Sequence, residues 1–466
     1  MRRHGCLVAV LTIGLAGCAL YERPDGTITT RHVAKPVPAH CRKGQPVHLK
    51  AQPLSPYVYR GGDGYAYFDV WVEACPAPGR RRRQPLDIAL VVDTSGSMGG
   101  RKIEQARAAA RYLLSVLDAN DRLSLVTYNT QVFIQFRLTA VTAANRGWMT
   151  SRINSIYPSG MTNLGGGLDI GTRQLNGARE RNAVSRVILI SDGLANVGVT
   201  HPSSLSAMAA WARQRRASVT TMGVGLHFNE LLLQNLAEYG GGRYHYISRA
   251  QDLVSIFRQE IQGVQRIVAT SINLQVEACP GCRVESVPGY AVHRQGNGAR
   301  IAVSDLAGGE VMKALVKVKL PTGADLDTRR IGLRLSYAAV RPTRRLYRRG
   351  AQVAFHMTSD LARVQRTTDV RVAGRVARVQ ANHLAHRAMT AYQFGNTVVA
   401  GNLLRKAAGR IRQYTRRYKV KKKSYAFEAD SLSAAAVRVR YAAPRPSQRQ
   451  HLIKKLRSKA SNAYRK

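Results

Sequence analysis

The chain has 466 residues, of which 45% are apolar. A chain of this length and composition can form a sizeable hydrophobic core spread over about two or three domains. The composition excludes an intrinsically disordered protein. With 72 Lys and Arg against 27 Asp and Glu, the net charge is +45, which predicts long-range attraction to anionic partners.

The first residues have the pattern of an export signal, with two arginines before a short apolar stretch. That stretch is shorter than the roughly 20 residues a membrane-spanning helix needs. Leu15-Ala16-Gly17-Cys18 resembles the lipobox of bacterial lipoproteins, which implies that residues 1–17 are a signal peptide and that Cys18 carries the lipid anchor. In that class Ala19 implies sorting to the outer membrane of a Gram-negative bacterium; the alternative is an ordinary signal peptide cleaved near Ala19. No later apolar run reaches membrane length, so we expect an anchored protein.

Export to an oxidising compartment would leave four cysteines to pair, in one of three ways. We predict the disulfides Cys41–Cys75 and Cys279–Cys282. Cys279-Pro280-Gly281-Cys282 also has the spacing of a thiol oxidoreductase, but strand-like sequence flanks it, whereas a redox pair needs a helix N-terminus. A zinc site is disfavoured because no second pair of ligands follows at the required spacing.

The middle of the chain alternates apolar strands with amphipathic helices. This pattern is typical of an α/β domain with a doubly wound, mostly parallel sheet covered on both faces. Such sheets bind ligands at the carboxyl ends of their strands. Strands are predicted at 86–92, 122–128, 131–137, 184–190, 219–224 and 244–247, and helices at 103–117, 144–156, 164–175, 205–216, 230–239 and 250–264.

Three of the loops at those strand ends carry side-chain oxygens. Asp93, Ser95 and Ser97 follow the first strand, Thr162 precedes the third helix, and Asp192 follows the strand predicted at 184–190. Oxygen donors of this kind favour Mg²⁺ or Mn²⁺, with Ca²⁺ also possible. The sequence therefore predicts a divalent metal site made by these five residues.

The combination of Asp-x-Ser-x-Ser, a Gly-x-Thr-Asn loop and a later Asp-Gly resembles the von Willebrand factor type A domain. The resemblance implies a Rossmann-like fold and a metal-ion-dependent adhesion site at the five residues. It also implies that the serines and the threonine bind the ion directly, whereas the aspartates act largely through water. Such an ion accepts a carboxylate from a binding partner.

Other enzyme and structural interpretations of this stretch fit less well. Asp93-Thr94-Ser95 is similar to an aspartic protease signature, which belongs to an all-β fold. A haloacid dehalogenase phosphatase needs a second aspartate where Ser95 stands, and a P-loop needs Gly-Lys-Ser where Arg101 stands. A simple capped turn would need one hydroxyl and not five oxygen-bearing side chains.

The flanking regions alternate in the manner of β-strands and predict a β-sandwich that the metal domain interrupts. This layout is similar to that of bacterial proteins related to inter-alpha-trypsin inhibitor heavy chains and calcium-activated chloride channel regulators. The predicted units are a linker from the lipid anchor (18–45), N-terminal sandwich strands (46–84), the metal domain (85–264), the remaining sandwich (265–358), a helical hairpin (359–420) and a basic, flexible tail (421–466).

The positive charge is concentrated near the C-terminus, where residues 341–466 hold 31 Lys and Arg against 4 Asp and Glu. A second basic run is Arg80, Arg81, Arg82 and Arg83, and a third is Lys421, Lys422 and Lys423. These runs indicate a polyanion-binding surface for acidic polysaccharide, lipopolysaccharide or DNA. A basic surface without a specific ligand is the alternative.

The sequence thus predicts a non-enzymatic, lipid-anchored protein of the cell envelope that binds an acidic side chain of a protein partner through a metal, in adhesion or scaffolding. We expect no small-molecule substrate. The alternative function is polyanion binding through the basic C-terminal region. An enzyme would need a general base, and the metal loops contain no histidine; His201 and His227 lie on neighbouring loops.

Overall fold

A computed structural model gives the fold of the chain. It describes residues 18–22, 28–32, 41, 46–76, 84–176, 183–225, 228–247, 249–321, 328–340, 346–421 and 423–441. None of the helices in these ranges is long and apolar enough to cross a membrane. Two short strands, β1 (Cys18–Glu22) and β2 (Ile28–His32), pair antiparallel within the region predicted as a linker.

Three further strands lie between β2 and the metal domain: β3 (Val47–Pro53), β4 (Tyr57–Tyr59) and β5 (Tyr65–Ala74). The domain then alternates strands and helices. Its elements are β6 (Leu86–Asp93), α1 (Arg101–Val116), β7 (Arg122–Tyr128), β8 (Val132–Ala140), α2 (Ala143–Asn154), α3 (Leu164–Gln174), β9 (Val184–Ser191), α4 (Pro202–Gln214), β10 (Ala217–Val224), α5 (Glu230–Tyr239), β11 (Gly241–Ile247) and α6 (Leu253–Val264).

These six strands form one sheet in the order β11-β10-β9-β6-β7-β8. All pairs are parallel except β7 with β8. Every residue of β6, β9 and β10 is buried, because helices cover both faces of a parallel sheet. The predicted doubly wound, mostly parallel sheet is therefore confirmed.

Three helices pack on each face of this sheet. Helices α1, α2 and α6 share one hydrophobic core with it, and α3, α4 and α5 share the other. Helix α3 is rich in glycine because its backbone lies very close to the sheet. A Cβ atom at Gly171 would come within 2.3 Å of Val91 Cγ2.

The chain after α6 returns to the strands that preceded the domain. It forms β12 (Ile267–Glu277), β13 (Arg283–Ser286), β14 (Val292–Gln295), β15 (Gly298–Ala302), β16 (Leu306–Ala307), β17 (Val311–Lys319), β18 (Thr328–Ala339) and β19 (Leu346–Thr358). One sheet has the order β14-β15-β12-β18-β19-β4, with β16 also on β12, and the other has the order β13-β17-β5-β3. Their inner faces share one core, in which the rings of Phe68 and Phe355 lie 6.2 Å apart. The metal domain is thus inserted into a β-sandwich, as predicted.

Both predicted disulfides are present. Cys41 is bonded to Cys75 across 34 residues, and Cys279 is bonded to Cys282 at the turn between β12 and β13. The first links the segment before β3 to the end of β5. The Cys279–Cys282 disulfide closes the turn between two strands, in agreement with the strand-like sequence predicted on both sides of it.

The described C-terminal residues form four helices, two more than the predicted hairpin. They are α7 (Leu361–Arg366), α8 (Val370–Gln393), α9 (Thr397–Arg417) and α10 (Lys423–Tyr441). The prediction of a flexible tail from residue 421 was wrong for 423–441; residues 442–466 lie outside the described part of the chain. Tyr425, Ala429, Leu432 and Val439 recur at helical spacing and are buried against α8 and α9, and the high charge obscured this stripe.

A buried ionic cluster joins the metal domain to the sandwich. Arg186 on β9 contacts Glu260 on α6 at 3.0 Å and Asp305 of the sandwich at 3.1 Å, and all three side chains are at most 8% exposed. Thr220 donates a hydrogen bond to Glu260 (2.9 Å), and His245 Nε2 lies 3.2 Å from the same carboxylate. Although burial disfavours the ionised form, the His245 hydrogen bond and the Arg186 charge hold the pKa of Glu260 well below its usual value.

We expect Glu260→Gln to lower the free energy of unfolding at pH 7 by about 3 kcal/mol, since it removes one carboxylate from a buried arginine. Because the folded-state pKa of Glu260 is depressed, the wild type keeps this contribution above about pH 4.3, the unfolded value, and loses it progressively below. Urea unfolding at pH 7 and at lower pH measures the free energy of unfolding of the wild type and of Glu260→Gln. The difference between the two free energies should become smaller as the pH falls.

Asp169→Asn is the matched control, because Asp169 pairs with Arg173, which is 61% exposed. Surface pairs of this type contribute about 0.5 kcal/mol or less. Equal effects of the two substitutions would show that the buried cluster does not stabilise the junction.

Candidate functional site

The first loop of the site begins where β6 ends at Asp93. The backbone N–H and the hydroxyl of Thr94 both donate to the carbonyl of Tyr128 at the end of the adjacent β7, at 2.7 and 3.1 Å. The Ser95 backbone N–H donates to Asp93 Oδ1 at 2.8 Å. These bonds hold the chain in a tight turn, so Ser95 and Ser97 stay directly above the sheet.

Hydrogen bonds link the second loop to the first and the third loop to the second. Gly96 N–H donates to the carbonyl of Gly160 at 3.0 Å, which places the loop containing Thr162 against the first turn. Thr162 N–H donates to Asn196 Oδ1 at 2.8 Å, and Asn196 N–H donates to the Thr162 carbonyl at 3.1 Å. The three loops therefore form one connected surface at the carboxyl edge of the sheet.

The predicted ligands lie together at this edge. Ser97 Oγ donates to Asp192 Oδ1 at 2.7 Å and lies 3.1 Å from Ser95 Oγ. A Cβ atom at Gly193 would be 3.1 Å from Thr162 Oγ1 and 3.7 Å from Asp93 Oδ2. Thr162 Oγ1 and Asp93 Oδ2 therefore both border the small space beside Gly193, which has no side chain to fill it. Asp93, Asp192, Ser95 and Thr162 are at most 3% exposed, whereas Ser97 is exposed.

Asp93 is a buried carboxylate that lacks a cationic side chain, since none of the ion pairs among the described residues involves it. Burial raises the pKa of Asp93 to about 6, although hydrogen bonds from Ser95 and Ser191 oppose the rise and the nearby charge of Asp192 adds to it. Burial, together with Asp93, also raises the pKa of the adjacent Tyr128. A buried carboxylate in these surroundings is stabilised by a cation.

The donor set fits a hard divalent cation. Two carboxylates and three hydroxyls surround one small space, and Mg²⁺ prefers oxygen ligands and retains several waters. In the described part of the chain no group of three or more His, Cys, Asp and Glu side chains is placed to hold a metal, so a site here depends on hydroxyl oxygens. The arrangement would hold Mg²⁺, Mn²⁺ or Ca²⁺ with few negative charges around it.

Sequence reasoning missed two polar side chains of this site. Ser191 donates to Asp93 Oδ2 at 2.8 Å, and it directly precedes the predicted Asp192. Lys102 forms an ion pair with Asp192 and donates to the carbonyl of Ser97 at 2.9 Å. A signal for Lys102 was available, because a cation in the first turn of a helix opposes the helix dipole.

The other candidate residues lie elsewhere. Lys421, which precedes α10, and Lys423, its first residue, are exposed, while Lys422 and the run Arg80, Arg81, Arg82 and Arg83 fall outside the described residues. The side chain of Cys18, the predicted lipid anchor, is also outside them, although its backbone forms the start of β1. His201, which is exposed, lies 2.8 Å from Ser203 Oγ, and His227 is not among the described residues.

Comparison with known proteins identifies related sequences for the inserted domain. Residues 87–259 match the family model of the von Willebrand factor type A domain. YfbK of Escherichia coli strain K12 is 26% identical over 196 residues, covering 42% of this chain and 34% of that protein. Human inter-alpha-trypsin inhibitor heavy chain H3 is 31% identical over 201 residues, covering 41% and 22%. The chain thus aligns with about a third or less of the length of these relatives.

Solved structures extend the likeness of the fold to most of the chain. A von Willebrand factor type A protein from Catenulispora acidiphila matches 89% of this chain and 96% of its own, with a TM-score of 0.68 and 15% identity. The ArnB paralog VWA2 from Sulfolobus acidocaldarius matches 90% and 99%, with a TM-score of 0.60 and 13% identity. The chain carries a von Willebrand factor type A domain, at residues 87–259.

Proposed function

We propose that this protein binds another protein through a divalent metal held by Asp93, Ser95, Ser97, Thr162 and Asp192. The observation that carries this proposal is the meeting of these oxygen-bearing side chains from three loops around one small space. When bound, Mg²⁺ or Mn²⁺ would supply an electron-poor centre for a carboxylate of the partner. The role of the domain is then adhesion or scaffolding.

The surface around the site supports a protein partner. Met161 precedes Thr162, Leu194 follows Gly193, and Tyr157 lies in the same loop as Met161; these side chains are 51%, 54% and 71% exposed. Exposed apolar groups next to a specific polar contact are typical of protein interfaces. A partner that offers an acidic side chain flanked by apolar residues would fit this surface.

Binding is favoured over catalysis by the chemistry of the site. General acid–base catalysis needs a group with suitable pKa within hydrogen-bond distance of the substrate. The Ser95, Ser97 and Asp192 side chains form one hydrogen-bonded chain that ends at Lys102. Asp93 accepts the hydroxyl of Ser191. We therefore propose that the residues at this edge hold and orient a ligand without transforming it.

We expect Asp93→Ala and Thr162→Ala each to weaken Mg²⁺ and Mn²⁺ binding by at least about tenfold. Each substitution removes an oxygen from the cluster above the sheet and leaves the hydrophobic core intact. Isothermal titration calorimetry measures the affinity, and thermal unfolding reports whether the variants stay folded. Thr162→Ser is the matched control, because it keeps the hydroxyl and should bind nearly as well as the wild type.

Wild-type metal uptake by both alanine variants would contradict the metal site. Loss of binding in Thr162→Ser that equals the loss in Thr162→Ala would instead implicate packing of the threonine methyl group.

A second candidate function is polyanion binding, favoured by exposed basic side chains on α9, among them Arg405, Arg410 and Arg416, and at the start of α10.

Chelation and salt distinguish the two functions. Binding to envelope extract through the metal should be abolished by chelator. Binding through the basic surface should survive chelator and fall steeply when salt is raised about threefold, because counterion release drives it. Pull-downs with and without chelator, each at low and at high salt, measure both responses.

We propose further that the protein is anchored in the cell envelope by lipid on Cys18, at the outer membrane. The supporting feature is the Leu15-Ala16-Gly17-Cys18 sequence after a basic, apolar start.

We expect Cys18→Ser to move the protein from the membrane fraction to the soluble periplasmic fraction, because the thiol that would accept the lipid is lost. Membrane fractionation measures this, and a membrane-bound variant would contradict the anchor. Cys6→Ser, which alters only the predicted signal peptide, is the control.

A further inference from the structure

Lys102 occupies a position that local helix energetics disfavour. It is the second residue of α1, where the helix dipole is positive and repels cations. Arg101 beside it is exposed, whereas the Lys102 side chain is 27% exposed and turns toward the metal loops. An interaction outside the helix therefore holds Lys102 in place.

That interaction is with Asp192. The carboxylate of Asp192 is fully buried, and both of its oxygens are engaged: Oδ1 accepts the Ser97 hydroxyl at 2.7 Å, and Oδ2 pairs with the Lys102 ammonium. The ammonium also donates to the Ser97 carbonyl at 2.9 Å. A single cation thus connects the first loop of the site to the third.

The rest of the Lys102 side chain passes close to the end of β10. A Cβ atom at Gly225 would be 3.5 Å from Lys102 Cε and 3.8 Å from Nζ. The ammonium is therefore held between the ends of β9 and β10, to one side of the space that Asp93, Ser95 and Thr162 surround. It neutralises Asp192, whereas Asp93 has no cationic partner among the residues that the structure describes.

We propose that Lys102 keeps Asp192 out of direct contact with the metal and lowers the affinity of the site for the ion. This inference rests on the proposed metal site. The two carboxylates then have different roles, because Asp192 is paired with Lys102 whereas Asp93 forms no ion pair within the described part of the chain. An ion held with fewer direct anionic ligands retains exchangeable positions, one of which a carboxylate of a partner protein can take.

The experiment compares Lys102→Met with Arg101→Gln, which removes the same charge one residue away without contacting Asp192. We expect Lys102→Met to bind Mg²⁺ at least about tenfold more tightly, because a repelling charge is gone and Asp192 is released. Arg101→Gln should change the affinity by less than about threefold, since solvent screens an exposed charge. Lys102→Arg, which retains the charge, should resemble the wild type. Calorimetry with Mg²⁺ alone measures all four proteins.

A second measurement reports on the coordination itself. Water-proton relaxation with Mn²⁺ counts the rapidly exchanging waters on the ion. Lys102→Met should show fewer of them than the wild type, because Asp192 replaces one. Thermal unfolding checks that each variant is folded, and Lys102→Gln serves as a second neutral variant if Lys102→Met is unstable.

The possible results separate the inference from the function on which it depends. If Lys102→Met and Arg101→Gln change the affinity equally, or if Lys102→Met weakens it, the inference is overturned while the metal site stands. If metal uptake is absent from the wild type and from every Lys102 variant, both are overturned. Uptake that appears only when Lys102 is neutral would support the inference directly.

Discussion

Parallel pairing of β6 with β7 on one side and β9 on the other is the constraint on which the site depends. In a parallel sheet neighbouring strands end at the same edge, so the loops after β6 and β9 emerge side by side. Asp93 and Asp192 lie 99 positions apart in the sequence but follow adjacent strands. Their proximity is a consequence of strand order, which the hydrophobic cores on both faces of the sheet maintain.

Hydrogen bonds between backbones convert this proximity into a defined arrangement. The turn after β6 is fixed to β7 through Thr94, and the loop containing Thr162 is fixed to the first loop through Gly160 and to the third through Asn196. Few of the oxygens are therefore positioned by long, flexible side chains. A site of this kind is preorganised, which reduces the entropy lost when a ligand binds.

Electrostatics then distinguish the two buried carboxylates of the domain edge. Asp192 is neutralised by Lys102, whereas Asp93 forms no ion pair with any of the described residues, and burial raises its pKa to about 6. Elsewhere the same domain buries an arginine with two carboxylates where it meets the sandwich. The domain therefore joins its neighbour through a cluster in which the arginine is ion-paired with two carboxylates, whereas at the surface proposed to bind a ligand only Asp192 of the two aspartates is ion-paired among the described residues.

The sequence alone predicted the alternation of strands and helices and the five oxygen-bearing residues, because hydrophobic periodicity and motif spacing are local properties of a chain. It also favoured the insertion in a β-sandwich and the two disulfides, but it left three cysteine pairings open, since pairing joins distant segments. Only the tertiary structure showed that Tyr425, Ala429 and Leu432 make α10 part of a helical bundle, and that Lys102 and Ser191 complete the polar network around the aspartates. These features depend on contacts between distant segments. Whether a charged helix packs, or which carboxylate a lysine reaches, is decided by strand order and burial, and neither is encoded in a short stretch of sequence.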